Sequence, residues 1–341
     1  MDNVTHSLTG LALARAGLSR FCPRATLLLI LSSNAPDSDI VAAFRGSLRY
    51  LEVHRGYSHS LLCLPLMAVL PVLVVAGIYR QRLPWARAWA LCCIGVAGHL
   101  LLDLTNSYGV RLLLPFSSSW FHEDLNTLYD GSIMAVLVFV ALWPGLARLV
   151  SWEIGDRASQ AAGYGRGTAR FALLFIIAFD GGRAVLHQRA VAQLQARLYD
   201  GMPPLDTAAL PNPFNPFRWM GVVESSRSYR LLDVNTLGEL DPEAARIFYK
   251  PAKGPALESA KATAPFRYFL YFARFPVWSE EPVTMDTDRG TRLDLSDLRF
   301  GTPGAGSFHC IALENGADQI LESRFTYGSG SDLGWGRGQG R

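Results

Sequence analysis

Charged side chains are scarce in this sequence of 341 residues. They make up 18% of the chain, whereas ordinary soluble domains carry about 25%, and half of the residues are apolar. The formal net charge of +3 is small and spread along the chain, so it gives no indication of a nucleic-acid partner. The composition favours a membrane protein.

Cysteines are also few, and no secretory signal peptide is evident. We interpret the five as packing residues rather than as a disulfide framework: Cys22, Cys63, Cys92, Cys93 and Cys310. The opening residues, MDNVTHSLTG, lack the basic region of a signal peptide, and no clean apolar core with a small-residue cleavage site follows them.

Long apolar runs predict a helical membrane domain. A helix needs about 20 residues to span a bilayer. Runs at 60–79, 86–104 and 133–150 are close to this length, and a fourth at 169–188 carries charge in its second half. Residues 7–18 and 25–33 are apolar but too short, which predicts a helical hairpin, spanning or re-entrant. The predicted fold is an α-helical polytopic membrane domain, an amino-terminal hairpin plus about four transmembrane helices.

A change of composition near residue 200 predicts a second domain. The prediction is a helical domain at 1–195, a proline-rich linker at 196–211, a small, mostly β extramembrane domain at 212–330 and a flexible tail at 331–341. Its strand character comes from four runs, RYFLYFARFPVW, TRLDLSDLRF, SFHCIALE and QILESRFTY. The second of these alternates apolar and polar residues, as in a sheet with one wet face.

Arginines in short loops indicate the orientation of the chain in the membrane, because short loops rich in basic residues stay on the cytoplasmic side. They occur between the runs 60–79 and 86–104 and again between 133–150 and 169–188. This orientation predicts a multi-pass membrane protein with the β domain and the polar motifs described next on the outer side. The arginines are Arg80, Arg82, Arg87, Arg148, Arg157, Arg166 and Arg170.

Histidine and aspartate recur where the apolar runs begin or end. His99 and Asp103 are four residues apart, so on a helix they share a face and can bind one ion. Each motif also has an ordinary explanation, as a hydrogen-bonded packing pair, a helix cap or an interfacial histidine. The other motifs are THSLTG with His6, NAPDSD with Asp37 and Asp39, and HRGYSHS with His54, Arg55 and His59.

Taken together, the motifs predict a metal centre. Four separate segments bring imidazoles and carboxylates to one membrane face, and these groups are ligands for zinc, manganese or iron. A divalent cation, zinc first and manganese as an alternative, would offset their desolvation. Six candidates exceed the three ligands that a catalytic zinc takes from protein, which favours two ions over one. The candidates are His6, Asp37, His54, His59, His99 and Asp103.

The same residues carry a resemblance to a known family. The runs MDNVTHSLTGLALARAG, NAPDSD, HRGYSHSLL and GHLLLDLTNSYGVRLLLPFS resemble the YdjM-like inner-membrane metal-dependent hydrolases over about residues 1–190. That family is thought to be distantly similar to zinc-dependent phospholipase C and the S1/P1 nucleases. The resemblance implies a hydrolase embedded in a bacterial inner membrane, so that the outer side is periplasmic, with its polar motif residues at the six positions above. Ser58 stands where the family often has threonine.

The leading hypothesis is a hydrolase that acts on a phosphoester of a lipid-like or membrane-tethered substrate at the outer face. Asp39 or His54 would complete the metal shell or act as general base, and Arg55 would hold the anionic group through a bidentate fork. Metal ligation is assigned to His6, Asp37, His59, His99 and Asp103.

Two alternatives remain open. A metal or proton transporter would use the same ligands, but the cytoplasmic halves of the helices contain almost no acids. A metal-stabilised scaffold, whose β domain does the binding, would show a closed ligand set. Further polar residues are expected in supporting roles: Asp180 and Arg183 to pair with each other, His187 to approach the metal face, and His122, Glu123, Asp124 and Asp130 to be mostly solvated in a loop that could cover the site.

Overall fold

A computed structural model describes residues 1–80, 82–153, 165–285 and 288–328 of the chain. It divides into two compact units. The first comprises Met1–Ile40, Val53–Arg189 and Pro211–Trp219, and the second comprises Val41–Glu52, Ala190–Leu210 and Met220–Arg341. The predicted tail at 331–341 and Arg157 lie outside the described residues.

Helices form most of the first unit, which begins with the expected hairpin of α1 (Asn3–Arg15) and α2 (Ala25–Ser32). Three 3-10 segments lie in this part of the chain, at Leu18–Arg20, Pro36–Arg45 and Tyr57–His59. The remaining helices of residues 1–195 are α3 (Ser47–Val53), α4 (Leu64–Met67), α5 (Val69–Tyr79), α6 (Trp85–Leu104), α7 (Gly131–Glu153) and α8 (Arg166–Gln195); most of α3 and the end of α8 belong to the second unit.

Two helices in the described residues are long and apolar enough to cross a membrane, namely α6 and the Gly131–Val150 part of α7. Two bent pairs raise the number to four if each is one broken span: Ala25–Ser32 with Pro36–Arg45, bent by 49°, and Ser47–His59 with Leu64–Tyr79, bent by 95°. The run 60–79 is helical only from Leu64 onward, as α4 and α5, so it is not the continuous helix that its composition predicted. Helix α8 is not one of these candidates, and Asp180, Arg183 and Arg189 lie along it.

Glycines let α1 and α6 approach α2 closely. A Cβ at Gly10 of α1 would lie 2.7 Å from the Leu29 carbonyl oxygen, and one at Gly95 of α6 would meet Ser32. Small residues at such crossings are how helices pack in lipid, where contact between backbones replaces the hydrophobic effect. The approach fixes the carboxyl end of α2 beside the middle of α6.

Two four-stranded sheets make up the strand-containing part of the chain, one with the order β1-β2-β3-β4 and one with β5-β6-β7-β8. The second sheet is antiparallel throughout, and two helices, α9 (Pro255–Ala262) and α10 (Ala264–Phe272), precede it. The strands are β1 (Asp206–Pro211), β2 (Arg218–Glu224), β3 (Ser228–Asn235), β4 (Arg246–Tyr249), β5 (Pro276–Met285), β6 (Asp288–Asp297), β7 (Phe308–Asn315) and β8 (Ile320–Tyr327).

Three of the four predicted strand runs are strands, β6, β7 and β8, and the fourth is mostly wrong. The first half of RYFLYFARFPVW lies in α10, and only its end enters β5. Phe266, Phe269 and Phe272 recur every three residues and are at most 3% exposed, which is a helical rather than a strand spacing. The predicted linker at 196–211 likewise contains strand β1.

Candidate metal centre

Four donor atoms converge at the carboxyl end of α6. His99 and Asp103 share one face of this helix, as their spacing predicted, and both are at most 1% exposed. Asp37 comes from the 3-10 segment after α2, and His59 comes from the 3-10 turn before α4. One ligand atom from each of the four lies within 4.8 Å of the others.

The separations match the edges of a tetrahedron around a zinc-sized ion. Metal–ligand distances of about 2.0–2.1 Å give edges of about 3.3–3.4 Å. His59 Nε2 lies 3.4 Å from Asp37 Oδ1, 3.5 Å from Asp103 Oδ2 and 3.1 Å from His99 Nε2. His99 Nε2 lies 3.7 Å from Asp37 Oδ1 and 3.5 Å from Asp103 Oδ2.

Hydrogen bonds on the far side of each ring orient these nitrogens. His99 Nδ1 lies 2.8 Å from the Ser33 carbonyl oxygen, to which it donates, so its Nε2 carries a lone pair. His59 Nδ1 lies 2.9 Å from Ser58 Oγ, which donates to Asp39 Oδ2 at 2.7 Å. Metal-binding histidines characteristically hold their second nitrogen in this way.

The cluster is unsatisfied without a cation. If both rings are neutral, with each Nδ1 engaged as described, two Nε2 lone pairs face each other at 3.1 Å; the buried Asp103 Oδ2 also has no hydrogen-bond partner in the described residues. Buried polar atoms without partners are rare and energetically unfavourable. A divalent cation among these donors would remove both conflicts, so the residues fit the metal that the sequence predicted.

Asp39 and His54 form a second, overlapping group. His54 Nδ1 lies 2.9 Å from Asp39 Oδ1, and one atom each of Asp37, Asp39 and His54 falls within 4.8 Å of the others. A second ion would therefore share Asp37. However, Asp39 Oδ2 already accepts hydrogen bonds from Ser58 Oγ and from the backbone N–H of Arg55. These bonds favour Asp39 as an orienting carboxylate for His54.

Arg55 does not point to an open substrate position, in contrast to the sequence prediction. Its side chain is 3% exposed, with one guanidinium nitrogen 3.0 Å from Asp103 Oδ1. The other terminal nitrogen donates to Asn106 Oδ1 at 2.9 Å, and the group stacks 4.5 Å from the Tyr108 ring centre. Since a φ of 55° places Arg55 in the left-handed region, the tight turn of HRG directs this side chain inward.

His6 borders the centre but is not one of the four convergent donors. It is fully buried and stacks on His99 with ring centroids 3.8 Å apart. Its Nε2 lies 3.4 Å from Asp103 Oδ1, and neither ring nitrogen has a hydrogen-bond partner in the described residues. Its assignment as a metal ligand stays a prediction.

The supporting polar residues are arranged differently from the prediction. Asp180 accepts from Asn126 at 2.7 Å, whereas Arg183 lies 3.8 Å from Asp130, so Asp180 and Arg183 each have another partner. Asp124 and Asp130 are at most 3% exposed and are therefore not solvated. Asp130 caps α7 by accepting hydrogen bonds from backbone N–H groups of its first turn. His187 stacks near Trp219, with centroids 5.4 Å apart, and is not in the metal cluster.

Sequence reasoning missed three groups that complete the centre: Ser33, Ser58 and Asn106. Ser33 contributes a main-chain carbonyl at the end of α2, which no side-chain pattern reveals. Ser58 and Asn106 lie inside HRGYSHS and LLLDLTNSYG, so their nearness to the motif residues was the available signal.

The fold and the site define a helical membrane protein with a buried histidine–aspartate cluster that could hold a metal ion. The family model of the YdjM inner membrane protein matches residues 1–190, and the chain belongs to this family. It is similar to the uncharacterized protein YfhP of Bacillus subtilis (strain 168), with 28% identity over 154 residues that cover 42% of this chain and 46% of the relative. The chain thus spans about half the length of that curated relative. No solved structure matches the chain.

Membership in an inner membrane protein family agrees with the apolar helices α6 and α7. The comparisons do not show the distant similarity to phospholipase C and the S1/P1 nucleases, which stays a prediction.

Proposed function

We propose that the chain is a membrane-embedded metal-dependent hydrolase that acts on a phosphoester of a lipid-like or membrane-tethered substrate at the periplasmic face. The observation that carries the proposal is the near-tetrahedral spacing of Asp37, His59, His99 and Asp103. These four residues would hold a divalent cation, zinc or alternatively manganese. When bound, such a cation supplies Lewis acidity toward water and toward an ester oxygen.

His54 is suited to proton transfer beside this cluster. Asp39 accepts the hydrogen from Nδ1 at 2.9 Å, so the neutral ring has its lone pair on Nε2. Its ring centroid is 5.6 Å from that of His59, and its side chain is 14% exposed, more than those of the four metal donors. We therefore assign His54 as the group that takes a proton from the attacking water at Nε2, with Asp39 fixing its orientation.

Arg55 acts in this proposal as a positioning residue. Its contact with Asp103 Oδ1 leaves Oδ2 directed at the other donors, so the guanidinium both orients and partly neutralises that carboxylate. Removing the arginine would take away one of the two buried cationic groups at Asp103 Oδ1, the other being the amino-terminal ammonium of Met1, and would be unfavourable.

Exposed apolar residues beside the site support a lipid-like substrate. Tyr57, Leu61 and Leu62 flank His59 in sequence and are 52–60% exposed. The Leu61 N–H donates to the Leu112 carbonyl oxygen at 2.9 Å, which joins this segment to the loop that carries Phe116, itself 84% exposed. An apolar rim of this kind suits acyl chains better than a soluble ester.

The test is to measure metal content and turnover on the purified full chain. We expect bound divalent metal, chelator-sensitive hydrolysis of phosphomonoester, phosphodiester and phospholipid probes, and loss of both in His99→Ala and Asp103→Ala. His122→Ala, a partly exposed histidine of the outer loop, is the matched control and should retain both. Unchanged turnover in the first two variants would remove the hydrolase proposal.

One observation favours a second candidate, a metal-stabilised scaffold. Four protein donors fill a tetrahedral shell, and structural zinc sites are closed in this way, whereas catalytic ones usually keep one position for water or substrate. His54→Gln separates the two functions. A hydrolase would lose turnover while keeping its metal, whereas a scaffold would show metal-dependent thermal stability and no turnover in any variant.

A further inference from the structure

Two loops at the opposite end of α2 and α6 form a basic surface. The turn at 16–24 joins α1 to α2, and the segment at 80–87 joins α5 to α6 and includes the first turn of α6. Together they hold five exposed arginines and, in the sequence, no aspartate or glutamate: Arg20, Arg24, Arg80, Arg82 and Arg87. None of the five forms an ion pair with an acid in the described parts of the chain.

Packing holds the two loops together. Cys22 and Ala25 share one buried cluster with Leu83 and Ala88, so the amino ends of α2 and α6 lie side by side. The Arg24 guanidinium also lies 4.2 Å from the centre of the Tyr79 ring at the end of α5. The arginines therefore form one surface, which we call the basic end.

With α6 as a membrane span, the basic end would lie at the depth of the membrane interface. Trp85 and Asp103 are eighteen residues apart on α6, a distance of about 27 Å along a helix, which is close to the hydrocarbon thickness of a bilayer. Phe21, Tyr79 and Trp85 are 42–50% exposed around the arginines, and aromatic rings of this kind concentrate at the headgroup level.

We propose that the basic end binds the headgroups of anionic phospholipids in the cytoplasmic leaflet. Guanidinium groups bind phosphate oxygens through bidentate hydrogen bonds, and in the described residues no acid competes for these five arginines. Anionic headgroups are the counter-anions present at this depth, and each basic side chain near them adds to the attraction. The binding does not depend on catalysis at the metal centre.

The test measures binding of dihexanoylphosphatidylglycerol and dihexanoylphosphatidylcholine to the full chain in detergent, by tryptophan fluorescence. We expect the native chain to bind the phosphatidylglycerol at least about tenfold more tightly than the phosphatidylcholine. Its affinity for the phosphatidylglycerol should fall as the salt concentration rises. The variant Arg20→Gln/Arg82→Gln/Arg87→Gln should lose this preference. The control Arg227→Gln/Arg246→Gln/Arg267→Gln removes the same charge from exposed arginines of the second unit and should keep it.

Equal binding of the two lipids by the native chain would overturn the proposal, as would equal loss of preference in both triple variants. Thermal unfolding curves confirm that each variant is folded. If the first variant does not fold, the lipid preference and salt dependence of the native chain decide the matter alone.

Discussion

The two histidines of the candidate metal centre are oriented by hydrogen bonds to Nδ1, the ring nitrogen that faces away from the other donors. Ser58 illustrates this arrangement, because its hydroxyl links Asp39 to His59 Nδ1. Ser58→Ala removes both bonds without touching a ligand, so we expect metal affinity to fall about 10–100-fold. Competition with a chromogenic chelator measures the change. Ser60→Ala is the control, because the native Ser60 hydroxyl donates to the Tyr57 carbonyl oxygen and not to the histidine–aspartate cluster. This variant should keep its metal affinity within a few-fold of the native value.

The contact between Arg55 and Asp103 can be measured apart from the metal. In excess chelator, Asp103→Asn and Arg55→Met should each destabilise the chain by about 1.5–3 kcal/mol, because each removes a buried charged hydrogen bond, while Arg55 keeps Asn106 and Asp103 keeps the amino-terminal ammonium of Met1. The double variant should be destabilised by clearly less than the sum. Denaturant unfolding of the four proteins provides the cycle, and strict additivity would show that the two groups do not interact energetically.

At this scale the sequence predicted which residues meet but not every contact. The i, i+4 spacing of His99 and Asp103 was sufficient for that pair, and the shared membrane face indicated Asp37 and His59. Arg55 was assigned to a substrate because nothing in HRGYSHS shows that φ is positive there and turns the side chain inward. Ser33 was missed because its contribution is a carbonyl group.

Individual helices depend on close backbone approach. Gly10→Ala would place a methyl group 2.7 Å from the Leu29 carbonyl oxygen and 3.0 Å from Ile30 Cα, both rigid backbone atoms of α2. We expect a net destabilisation of about 1–3 kcal/mol, even though alanine favours a helix more than glycine does. Gly98→Ala, which meets only Leu13 Cδ1 at 3.8 Å, should be neutral or stabilising. Unfolding in detergent compares the two, and equal stabilities would contradict the packing argument.

The second sheet contains a buried histidine that makes its stability pH-dependent. Burial alone would lower the pKa of His309 from its ordinary 6.5, but the hydrogen bond to Asp294 at 2.9 Å and the charge of that carboxylate outweigh burial and raise it. The pair therefore stabilises the fold fully below pH 6.5, and this contribution disappears as pH rises through the higher folded pKa. The native chain should unfold at a higher temperature than His309→Gln, and this difference should shrink between pH 6 and pH 9, in about the range of histidine titration. A difference that grows with pH would show that the pKa of His309 is lowered rather than raised.

Elements were predictable where their apolar pattern was long or strictly alternating. Helices α6 and α7 have the long runs and strand β6 has the alternation, whereas β7 and β8 were predicted from short runs of strand character between turn residues. Helix α10 was predicted as a strand because its many aromatic residues are typical of strands. The three-residue spacing of its phenylalanines, which indicates a helix, was given too little weight. The break at 60–64, where HRGYSHS turns into α4, could not be read from an apolar run, since composition alone does not show a bend.

The orientation of the whole chain is a prediction that labelling can check. If the basic end faces the cytoplasm, a membrane-impermeant maleimide added to intact cells should react with Ser119→Cys in the outer loop and not with Ala86→Cys at the start of α6. Both positions are exposed, and the five native cysteines must be replaced first. Reaction at position 86 alone would invert the topology.

The brevity of α2 has a consequence for how the chain can change. This helix ends at Ser32, and a regular continuation would engage the Ser33 carbonyl with the amide of residue 37. That oxygen is the acceptor that fixes the His99 tautomer, and residue 37 is the aspartate whose carboxylate joins the cluster. Lengthening α2 into a full span would therefore engage the Ser33 carbonyl oxygen within the helix and move the Asp37 carboxylate away from the cluster. A relative that keeps this cluster must therefore also keep the early end of α2.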